Sequence, residues 1–456
     1  MIQNHEHLVD HGQTAVRRDA LAIIEEGLAA ADPGQGTRRQ VWLEGNLLHV
    51  AHHTMDLATV RQVYFVGVGK GSYPIAEALE AILGPRIAGG ILVVKRGDRR
   101  RLSRIEVMEA GHPIPDESSV MGAQRLLEVA HLAGPSDLVF AGVTGGSSAL
   151  ATLPPPGVTL ADVQDLTECL LKSGATIRDM NAVRKHVCLV KGGRLIAAVQ
   201  PALGVTLTLD TAPEGLPWPD LCLPDPTTFA DAIAVLKHFD IWEAVSPAIR
   251  RYLEEGQYHP ERETVKTLEG MRALLVSVGD PVATCEAAAE AAGQLGYHAT
   301  VIGTALEGEA VELGTCLAGI AKEITKYGRP FPMPCALISG GETTVTIRGA
   351  YGRGGPNQEL AVGFACKAPK GAHLCCVSIG TDGTDGPTDL AGGIVDGETC
   401  ARAATLGLNL ADCARRHDSA TALTRLDDAI ITGHTGTNVL DLRVVLVGTP
   451  AGACHA

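Results

Sequence analysis

Two glycine-rich segments of the chain carry the residue types that bind anions. The first places Lys70 and Ser72 among Gly67, Gly69 and Gly71, after an apolar run and before a helical pattern. Amides at a helix N-terminus point toward bound anions, glycines let the backbone approach, and a lysine adds positive charge. The spacing matches neither the dinucleotide fingerprint nor the P-loop. The segment therefore predicts either a phosphate-binding turn or a plain strand-to-helix connection with a solvated lysine.

The second segment follows the apolar run LVFAGV and consists of Thr144, Gly145, Gly146, Ser147 and Ser148. Hydroxyl groups and exposed amides are suitable hydrogen-bonding partners for the oxygens of a carboxylate or a phosphate. A turn with a purely structural role rarely needs this many hydroxyl groups between glycines. We therefore favour ligand binding over a structural role for this loop.

A basic segment lies in NAVRKHVCLVKGGRL, which is a concentrated positive patch in an acidic protein. If the stretch is helical, Arg184 and Lys191 are seven residues apart and share a face. A run of charges is usually a solvated helix surface. The pair Gly192-Gly193 inside the segment favours instead a site that a ligand or another part of the backbone approaches closely.

An acidic loop near the end of the chain contains Asp382, Asp385 and Asp389 between glycines. Carboxylates in such a loop can bind Mg²⁺ together with water and phosphate oxygens, or take a proton from a hydroxyl nucleophile. An EF-hand is excluded, because no glutamate stands at the twelfth position counted from Asp382. The alternative is a plain Asp/Gly turn.

Apolar runs that alternate with helical patterns indicate how these segments are positioned. The strand-like runs include VYFVGV, GGILVVK, DLVFAGV, GVTLTLD, RALLVSVGD and HATVIGT. This alternation predicts an α/β fold with a mostly parallel sheet covered on both faces. We expect helices at residues 14–32 and 36–56 ahead of the first sheet, and a long irregular loop at the proline-rich residues 211–228.

The composition limits the class of protein and its partners. The chain has 456 residues, is 45% hydrophobic and carries a formal net charge of −14. The length favours two or three domains, and the acidic balance disfavours nucleic acids and anionic membranes as partners. We find no signal peptide and no apolar run long enough to span a bilayer, which predicts a cytoplasmic protein. The 12 cysteines show no C-x-x-C spacing, so we expect reduced and mostly buried thiols.

Ordered motifs along nearly the whole chain resemble the glycerate 2-kinase family, whose C-terminal half is the MOFRL domain and whose older name is hydroxypyruvate reductase. The motifs are VGVGKGSYPIAEAL, EAGHPIPDE, TGGSSAL, SGATIRDMNAVRKH, VKGGRL, PDPTTFADA, SGGETTV, GGPNQEL, GTDGTDGPTDLAGGIVDGET and TGTNVLDL. The resemblance implies a Rossmann-like N-terminal domain at residues 1–325, a smaller C-terminal α/β domain at residues 326–456, and an active-site cleft between them. ATP with Mg²⁺ would phosphorylate the 2-hydroxyl of glycerate or a related small hydroxy acid, and a homodimer is a possible assembly.

The resemblance also implies roles for individual residues. Lys70 would contact the transferring phosphate, and the loop from Thr144 to Ser148 would bind substrate or nucleotide. Asp382 and Asp385 would bind the metal or accept the proton. The remaining candidates are Arg184, Lys185 and Lys191 for the substrate carboxylate, Arg353, Asn357 and Glu359 for substrate or nucleotide, and Asp210 and His434 for catalysis.

The chain departs from the family pattern at several polar positions. Pro356 stands where the family usually has an arginine that could stabilise phosphate charge, with Arg353 as the nearest replacement. In the loop from Leu209 to Cys222, only Asp210 matches cleanly, and Cys188 replaces a serine. These departures leave two alternatives to a kinase open. One is an isomerase, lyase or oxidoreductase of a sugar-acid derivative that uses His434, Asp210 or Glu214, and the other is a metabolite-binding protein without catalysis.

Overall fold

The computed structural model describes residues 2–97, 100–209, 221–347 and 349–450. The helices are α1 (His5–Val9), α2 (Thr14–Ala30), α3 (Pro33–Gln40), α4 (Ser72–Leu83), α5 (Glu117–His131), α6 (Ser147–Leu150), α7 (Leu160–Lys172), α8 (Ile177–His186), α9 (Arg194–Val199), α10 (Phe229–His238), α11 (Pro247–Gly256), α12 (Pro281–Gln294), α13 (Ala310–Tyr327), α14 (Pro356–Lys367), α15 (Thr399–Thr405), α16 (Leu410–Arg415) and α17 (Ser419–Arg425). Among the described residues, no helix combines the length and the apolar character that crossing a membrane requires.

The strands are β1 (Val41–Glu44), β2 (Leu47–Val50), β3 (His53–Asp56), β4 (Val63–Val68), β5 (Ile87–Lys95), β6 (Ile105–Ala110), β7 (Leu138–Val143), β8 (Leu203–Leu209), β9 (Ala273–Gly279), β10 (His298–Gly303), β11 (Gly308–Glu309), β12 (Cys335–Gly341), β13 (Thr343–Thr344), β14 (Leu374–Gly380), β15 (Gly392–Asp396), β16 (Ala429–Ile430) and β17 (Asp441–Val447). Every apolar run that we predict to be a strand overlaps one of them. The expected α/β fold class is confirmed.

The chain forms two compact units. The central unit is residues 33–278, and the terminal unit combines residues 1–32 with residues 279–456. The boundary that the family resemblance implies, after residue 325, lies inside the terminal unit. The first 32 residues therefore pack with the second half of the chain.

A six-stranded sheet organises the central unit, in the order β6-β5-β4-β7-β8-β9. The pairs from β6 through β8 are parallel, as the sequence predicts. Apolar side chains of β4, β5 and β7 pack against α5 and α9 in one buried cluster that includes Val66, Val93, Ala141, Leu126 and Leu195. Because all these strands run the same way, the turns that follow β4 and β7 lie at the same edge of the sheet.

A mixed sheet organises the terminal unit, in the order β10-β12-β17-β14-β15-β16. Side chains of β14 alternate between its two faces, as a strand buried on both sides requires. Cys375 and Val377 belong to a core that includes α2 and α12, whereas Cys376 belongs to a core that includes α13 and α14. The apolar positions Leu21 and Leu28 of α2 lie in the first of these cores. The helix that we expect at residues 14–32 is thus present as α2, and it covers a sheet that is distant in sequence.

The predicted helix at residues 36–56 is wrong beyond Gln40. After α3, the chain forms a small antiparallel sheet in the order β1-β2-β3. Gly45 and Ala51 stand at its turns with φ angles of 63° and 50°. Positive φ angles favour reversal of the chain over continuation of a helix. In the sequence, Gly45 is the residue that indicates a turn at this point and not a continuous helix.

A buried cluster of charges ties the N-terminal helices into the terminal unit. The Arg17 guanidinium has no solvent exposure, and its Nε donates to Asp396 Oδ2 at 2.6 Å. A second nitrogen of Arg17 donates to Asp428, which also accepts from Arg402. The imidazole of His11 lies 3.0 Å from Asp428 Oδ1. The cluster joins three parts of the chain that are far apart in sequence.

The His11 contact predicts a pH dependence of stability. The hydrogen bond with Asp428 raises the pKa of His11, helped by Asp10, while partial burial and the nearby Arg17 oppose the shift. A raised pKa in the folded state gives stability that is fully present below the unfolded pKa of 6.5 and is lost as pH rises through the folded value. We expect the free energy of unfolding of the parent protein to fall by roughly 1 kcal/mol more than that of His11→Gln between about pH 6 and pH 8, measured by urea denaturation. The exposed His52 supplies the control variant, His52→Gln, and equal pH dependence in all three proteins would contradict the prediction.

Candidate active site

The glycine-rich turn (residues 67–72) connects β4 to α4, as predicted. The backbone amide of Lys70 donates to the Gly145 carbonyl at 2.9 Å, and the amide of Gly71 donates to Thr144 Oγ1 at 2.9 Å. Gly69 has a φ angle of 139°, and a β-carbon there would lie 2.2 Å from Thr144 Oγ1. Only glycine allows this approach. The turn is therefore built to pack closely on the loop that follows β7.

That second loop, which we call the hydroxyl loop (residues 144–148), lies beside the glycine-rich turn because β4 and β7 are neighbours. Val68 and Val143, the last residues of the two strands, are paired in parallel register. Thr144 Oγ1 also forms a hydrogen bond with Ser72 Oγ at 3.0 Å. The two anion-binding candidates of the sequence analysis thus form one continuous surface.

Two hydroxyl groups of this loop have no partner in the part of the chain that the structure describes. Within the described residues, the buried Oγ atoms of Ser147 and Ser148 have no hydrogen-bond partner. Buried polar groups are normally satisfied, so unpaired hydroxyls beside a glycine-rich turn need a ligand or water to pair with. Their state supports the ligand-binding interpretation of the loop over the structural one.

Gly146 brings a further residue to this surface, His112. Gly146 has a φ angle of 87°, and a β-carbon there would lie 3.2 Å from Lys70 Cγ and 3.3 Å from the His112 ring. His112 is not among the site residues that we predict from the sequence. Its signal was present in the motif EAGHPIPDE, in which His112 stands between a strand and a helix N-terminus.

The basic segment is not one helix, so the conditional prediction that Arg184 and Lys191 share a helix face is wrong. Helix α8 ends at His186, and Gly192 and Gly193 have φ angles of 63° and 76°. Lys191 lies in the connection before α9 and has only 3% of its surface exposed. The segment between α8 and α9 is therefore not helical, and Lys191 is buried within it.

The three basic candidates of this segment have different surroundings. The Lys185 amine lies 3.5 Å from Asp225 Oδ1 and forms an ion pair with it. Burial opposes ionisation of Asp225, yet Lys185 and the hydrogen bonds from Thr227 lower the pKa of its carboxyl group. Arg184 and Lys191 instead line a pocket whose wall includes Ser148 of the hydroxyl loop. The structure thus brings two of the three residues next to the anion-binding surface.

The acidic loop (residues 380–389) connects β14 and β15 in the terminal unit. Asp385 is buried, and its two carboxylate oxygens accept from the first amides of α14, from Asn357 at 3.0 Å and from Gln358 at 2.9 Å. Burial raises the pKa of Asp385 to about 7, although these amides act in the opposite direction. Asp382 Oδ1 accepts from the amide and the hydroxyl of Thr384, at 3.0 and 2.9 Å. Asp385 therefore holds the helix start, while Asp382 belongs to the turn itself.

The GGPNQEL motif forms the start of α14. Pro356 is its first residue, a position where a missing amide costs nothing. Asn357 Nδ2 donates to Asp441 Oδ1 at 2.7 Å, and its Oδ1 accepts from Ser378. Glu359 is buried and contacts His417 Nδ1 at 2.9 Å, and burial raises the pKa of its carboxyl group. Arg353 is exposed, ahead of the helix.

His434 lies on a loop that packs against the acidic loop. Thr435 Oγ1 donates to the carbonyl of Thr381 at 2.5 Å. A β-carbon on Gly383 would lie 1.8 Å from the Gly433 carbonyl oxygen, so the two backbones touch. His434 itself is exposed. The structure thus places His434 next to the acidic loop, and its catalytic role stays a prediction.

The carboxylates near the acidic loop could supply some, but not all, of the ligands of a hard cation such as Mg²⁺. Within the described residues, no group of three or more histidines, cysteines, aspartates and glutamates could hold a metal ion. Mg²⁺ in kinases usually takes only one or two carboxylates and completes its shell with phosphate oxygens and water. Burial raises the pKa of Glu342, and the nearby carboxylates of Asp441 and Asp382 raise it further. Negative charge is therefore concentrated around Glu342 and Asp382. Asp382 fits Mg²⁺ better than Asp385, whose oxygens already accept helix amides.

Two sequence predictions remain open. Asp210 and residues 211–220 lie outside the described residues, while residues 221–228 are irregular, as expected. A cleft shared by Lys70 and the acidic loop, which the family resemblance implies, also stays a prediction.

The fold and the paired turns define a class of protein. A parallel α/β sheet with a lysine-bearing glycine turn at its carboxyl edge is typical of proteins that bind phosphate-containing ligands. Two family models match the chain, a domain of unknown function called DUF4147 at residues 19–254 and the MOFRL family at residues 335–441.

Similar proteins narrow the class. The chain is 38% identical to a glycerate 2-kinase of Pyrococcus horikoshii, over 96% of this chain and 98% of that protein. It is 36% identical to a D-glycerate 2-kinase of Thermotoga maritima, over 95% of this chain and 99% of that protein. A crystal structure of a Thermotoga maritima glycerate kinase matches with a TM-score of 0.82 and 35% identity, over 94% of this chain and 99% of that one. The chain belongs to the glycerate 2-kinase family of phosphotransferases, which confirms the resemblance seen in the sequence.

Proposed function

We propose that the protein transfers the γ-phosphoryl group of ATP to the 2-hydroxyl of glycerate or a closely related hydroxy acid. The observation that carries the proposal is the surface formed by the glycine-rich turn and the hydroxyl loop, because it offers Lys70 and unpaired hydroxyls in one place. Membership of the glycerate 2-kinase family supports the same reaction.

The reaction needs positioning and charge neutralisation more than covalent catalysis. The substrate hydroxyl oxygen forms a bond to the γ-phosphorus, the bond from that phosphorus to the β-bridging oxygen breaks, and ADP leaves. Lys70 would neutralise charge on the transferring group. The hydroxyl proton needs an acceptor, for which Asp210, Asp385 and His434 remain the candidates. Asp382 would hold Mg²⁺, which supplies charge neutralisation at the phosphate oxygens when bound.

The replacement of the family arginine by Pro356 removes a positive charge but does not disturb the start of α14. Proline is well accommodated at the first position of α14, so the substitution leaves the helix intact. Arg353 lies three residues earlier and is exposed, so its side chain is accessible to a ligand.

The cytoplasmic location and the homodimer stay predictions from the sequence.

A substrate panel tests the proposal. Purified protein is incubated with ATP, Mg²⁺ and hydroxy acids of three or four carbon atoms, and ADP is measured with a coupled assay. We expect ADP release that requires both Mg²⁺ and the acid, with D-glycerate among the best substrates. Release of ADP that does not depend on any acid, or none at all, would contradict the proposal. Matched reactions with hydroxypyruvate and NAD(P)H test the older reductase name.

Gly146→Ala is expected to lower kcat/KM by roughly tenfold, because a β-carbon would force Lys70 and His112 to shift by a few tenths of an ångström. Gly157→Ala is a matched control, since Gly157 has a φ angle of 84° and open space around its Cα. Both variants carry similar backbone strain, but only the first one displaces site residues. Initial rates with saturating ATP check the prediction. Equal activity of the two variants would show that the Gly146 contacts do not matter for catalysis.

A further inference from the structure

We propose that the imidazole of His112 accepts the proton of the substrate 2-hydroxyl during phosphoryl transfer. This inference rests on the proposed function and deepens it, because it assigns the proton transfer to a residue that stands beside Lys70. It depends on the position of the ring, on the chemistry of its neighbours and on the turn that holds it.

His112 lies at the surface formed by the glycine-rich turn and the hydroxyl loop, although it comes from another connection. It follows β6, whereas Lys70 follows β4 and Gly146 follows β7. A β-carbon on Gly146 would lie 3.3 Å from both Nε2 and Cδ2 of the His112 ring, and 3.2 Å from Lys70 Cγ. Because these distances start from one point, the Nε2 edge of the ring and the stem of Lys70 are neighbours across Gly146. A ligand held by Lys70 and the hydroxyl loop would therefore lie beside this nitrogen.

The other side chains that we place on this surface are poor proton acceptors. An ammonium group such as that of Lys70 has donors but no acceptor. The hydroxyl groups of Ser72 and of the hydroxyl loop are about as weakly basic as the substrate hydroxyl itself. Asp385 and His434 belong to the terminal unit, whereas His112 and Lys70 belong to one unit. An imidazole, which exchanges protons near neutral pH, is the group here that suits a general base.

The fold holds His112 in a closed turn between β6 and α5. The amide of Gly111 donates to the carboxylate of Asp116, and Asp116 Oδ1 also accepts from the Ser119 amide at the start of α5, at 3.0 Å. The guanidinium of Arg96 donates to Asp116 Oδ2 at 2.6 Å. The turn is thus anchored on both sides of His112. A backbone fixed in this way restricts where the ring can lie, which reduces the entropy that is lost when substrate and base come together.

The step balances with His112 as the acceptor. The 2-hydroxyl oxygen forms a bond to the γ-phosphorus while its proton moves to Nε2 of His112. The bond from the γ-phosphorus to the β-bridging oxygen breaks, and its electron pair leaves with ADP. The neutral ring must carry its own proton on Nδ1 beforehand, and the imidazolium afterwards releases the transferred proton to water. The hydroxyls of Ser147 and Ser148, which are buried and have no partner among the described residues, would hold the ligand next to the ring.

His112→Ala tests the inference through kcat. A general base typically contributes a factor of roughly 100 to 10,000, so we expect kcat with D-glycerate to fall about 100-fold. The KM for ATP and the KM for the acid should each change by less than about threefold. Added imidazole should restore the kcat of this variant by about tenfold or more, because a free base can occupy the space that the ring has left. The control variant is His131→Ala, since His131 is an exposed histidine at the end of α5, and it should keep parental activity with or without imidazole.

His112→Gln separates a proton acceptor from a positioning hydrogen bond. Glutamine keeps a polar group of similar size that cannot take the proton, so we expect a similar loss of kcat that imidazole does not restore. This variant also carries the test if His112→Ala does not fold. A kcat within about fivefold of the parent protein in either variant, a loss confined to the KM for ATP, or no recovery of folded His112→Ala in imidazole would overturn the inference. If the parent protein forms no ADP with any acid, the proposed function fails. If the parent protein is active and both variants are equally active, only the role of His112 fails.

Discussion

Lys70→Ala should lower kcat/KM for ATP by about 1,000-fold, with little change in the affinity for the acid. One positioned donor in a transition state is typically worth a factor of roughly 100 to 1,000, and a cationic group on a transferring phosphoryl is worth more. The backbone amide of Lys70, which donates to Gly145, is retained in the variant. The loss therefore reports the ammonium group and not the shape of the turn.

The measurement is a steady-state assay of ADP formation at several ATP concentrations. Lys172→Ala is the control, because Lys172 belongs to the same unit but is exposed on a helix surface and paired with Glu168. Thermal melting of both variants should match the parent protein. A loss of less than tenfold in Lys70→Ala would remove Lys70 from the proposed mechanism.

Arg17→Met should destabilise the terminal unit by about 3 to 5 kcal/mol. The Arg17 side chain has no solvent exposure and pairs with Asp396 and Asp428, so its removal leaves buried carboxylates without compensation. Arg402 still pairs with Asp428, which makes Asp396 the more affected partner. For a unit of this size, such a loss corresponds to a fall in melting temperature of roughly 6 to 20 °C.

Differential scanning calorimetry checks this prediction, with Arg18→Met as the control. Arg18 is the next residue of the same helix and is exposed, so its replacement should shift the melting temperature by less than about 2 °C. The double variant Arg17→Met with Asp396→Asn should recover part of the stability, since it also removes the uncompensated charge. A melting temperature of Arg17→Met equal to that of Arg18→Met would mean that the buried cluster adds no stability.

The local elements of the site could be predicted from the sequence. An apolar run, glycines and then a helical pattern define β4, the glycine-rich turn and α4, because each of these signals depends on neighbouring residues only. The run LVFAGV followed by the hydroxyl loop is a second example. The order of strands that places the two turns side by side follows from parallel connections, which the alternation of strands and helices already indicates.

Long-range and turn-dependent features could not be predicted in this way. The pairing of Arg17 with Asp396 joins residues 379 positions apart, and nothing local marks it. The possible helix through Lys191 does not form, because α8 ends at His186 and Gly192 and Gly193 adopt positive φ angles before α9 begins. Asp385 is a second example. Its spacing in the sequence suggests a metal ligand, but both of its carboxylate oxygens accept hydrogen bonds from the amides at the start of α14.

The position of the new phosphate ester tests the central claim most directly. Proton-coupled ³¹P spectroscopy of the product made from D-glycerate, ATP and Mg²⁺ distinguishes the two hydroxyls, because phosphate on carbon 2 couples to a single proton and phosphate on carbon 3 couples to a pair. We predict a doublet, which corresponds to 2-phosphoglycerate. A triplet, or no new phosphate ester, would contradict the account.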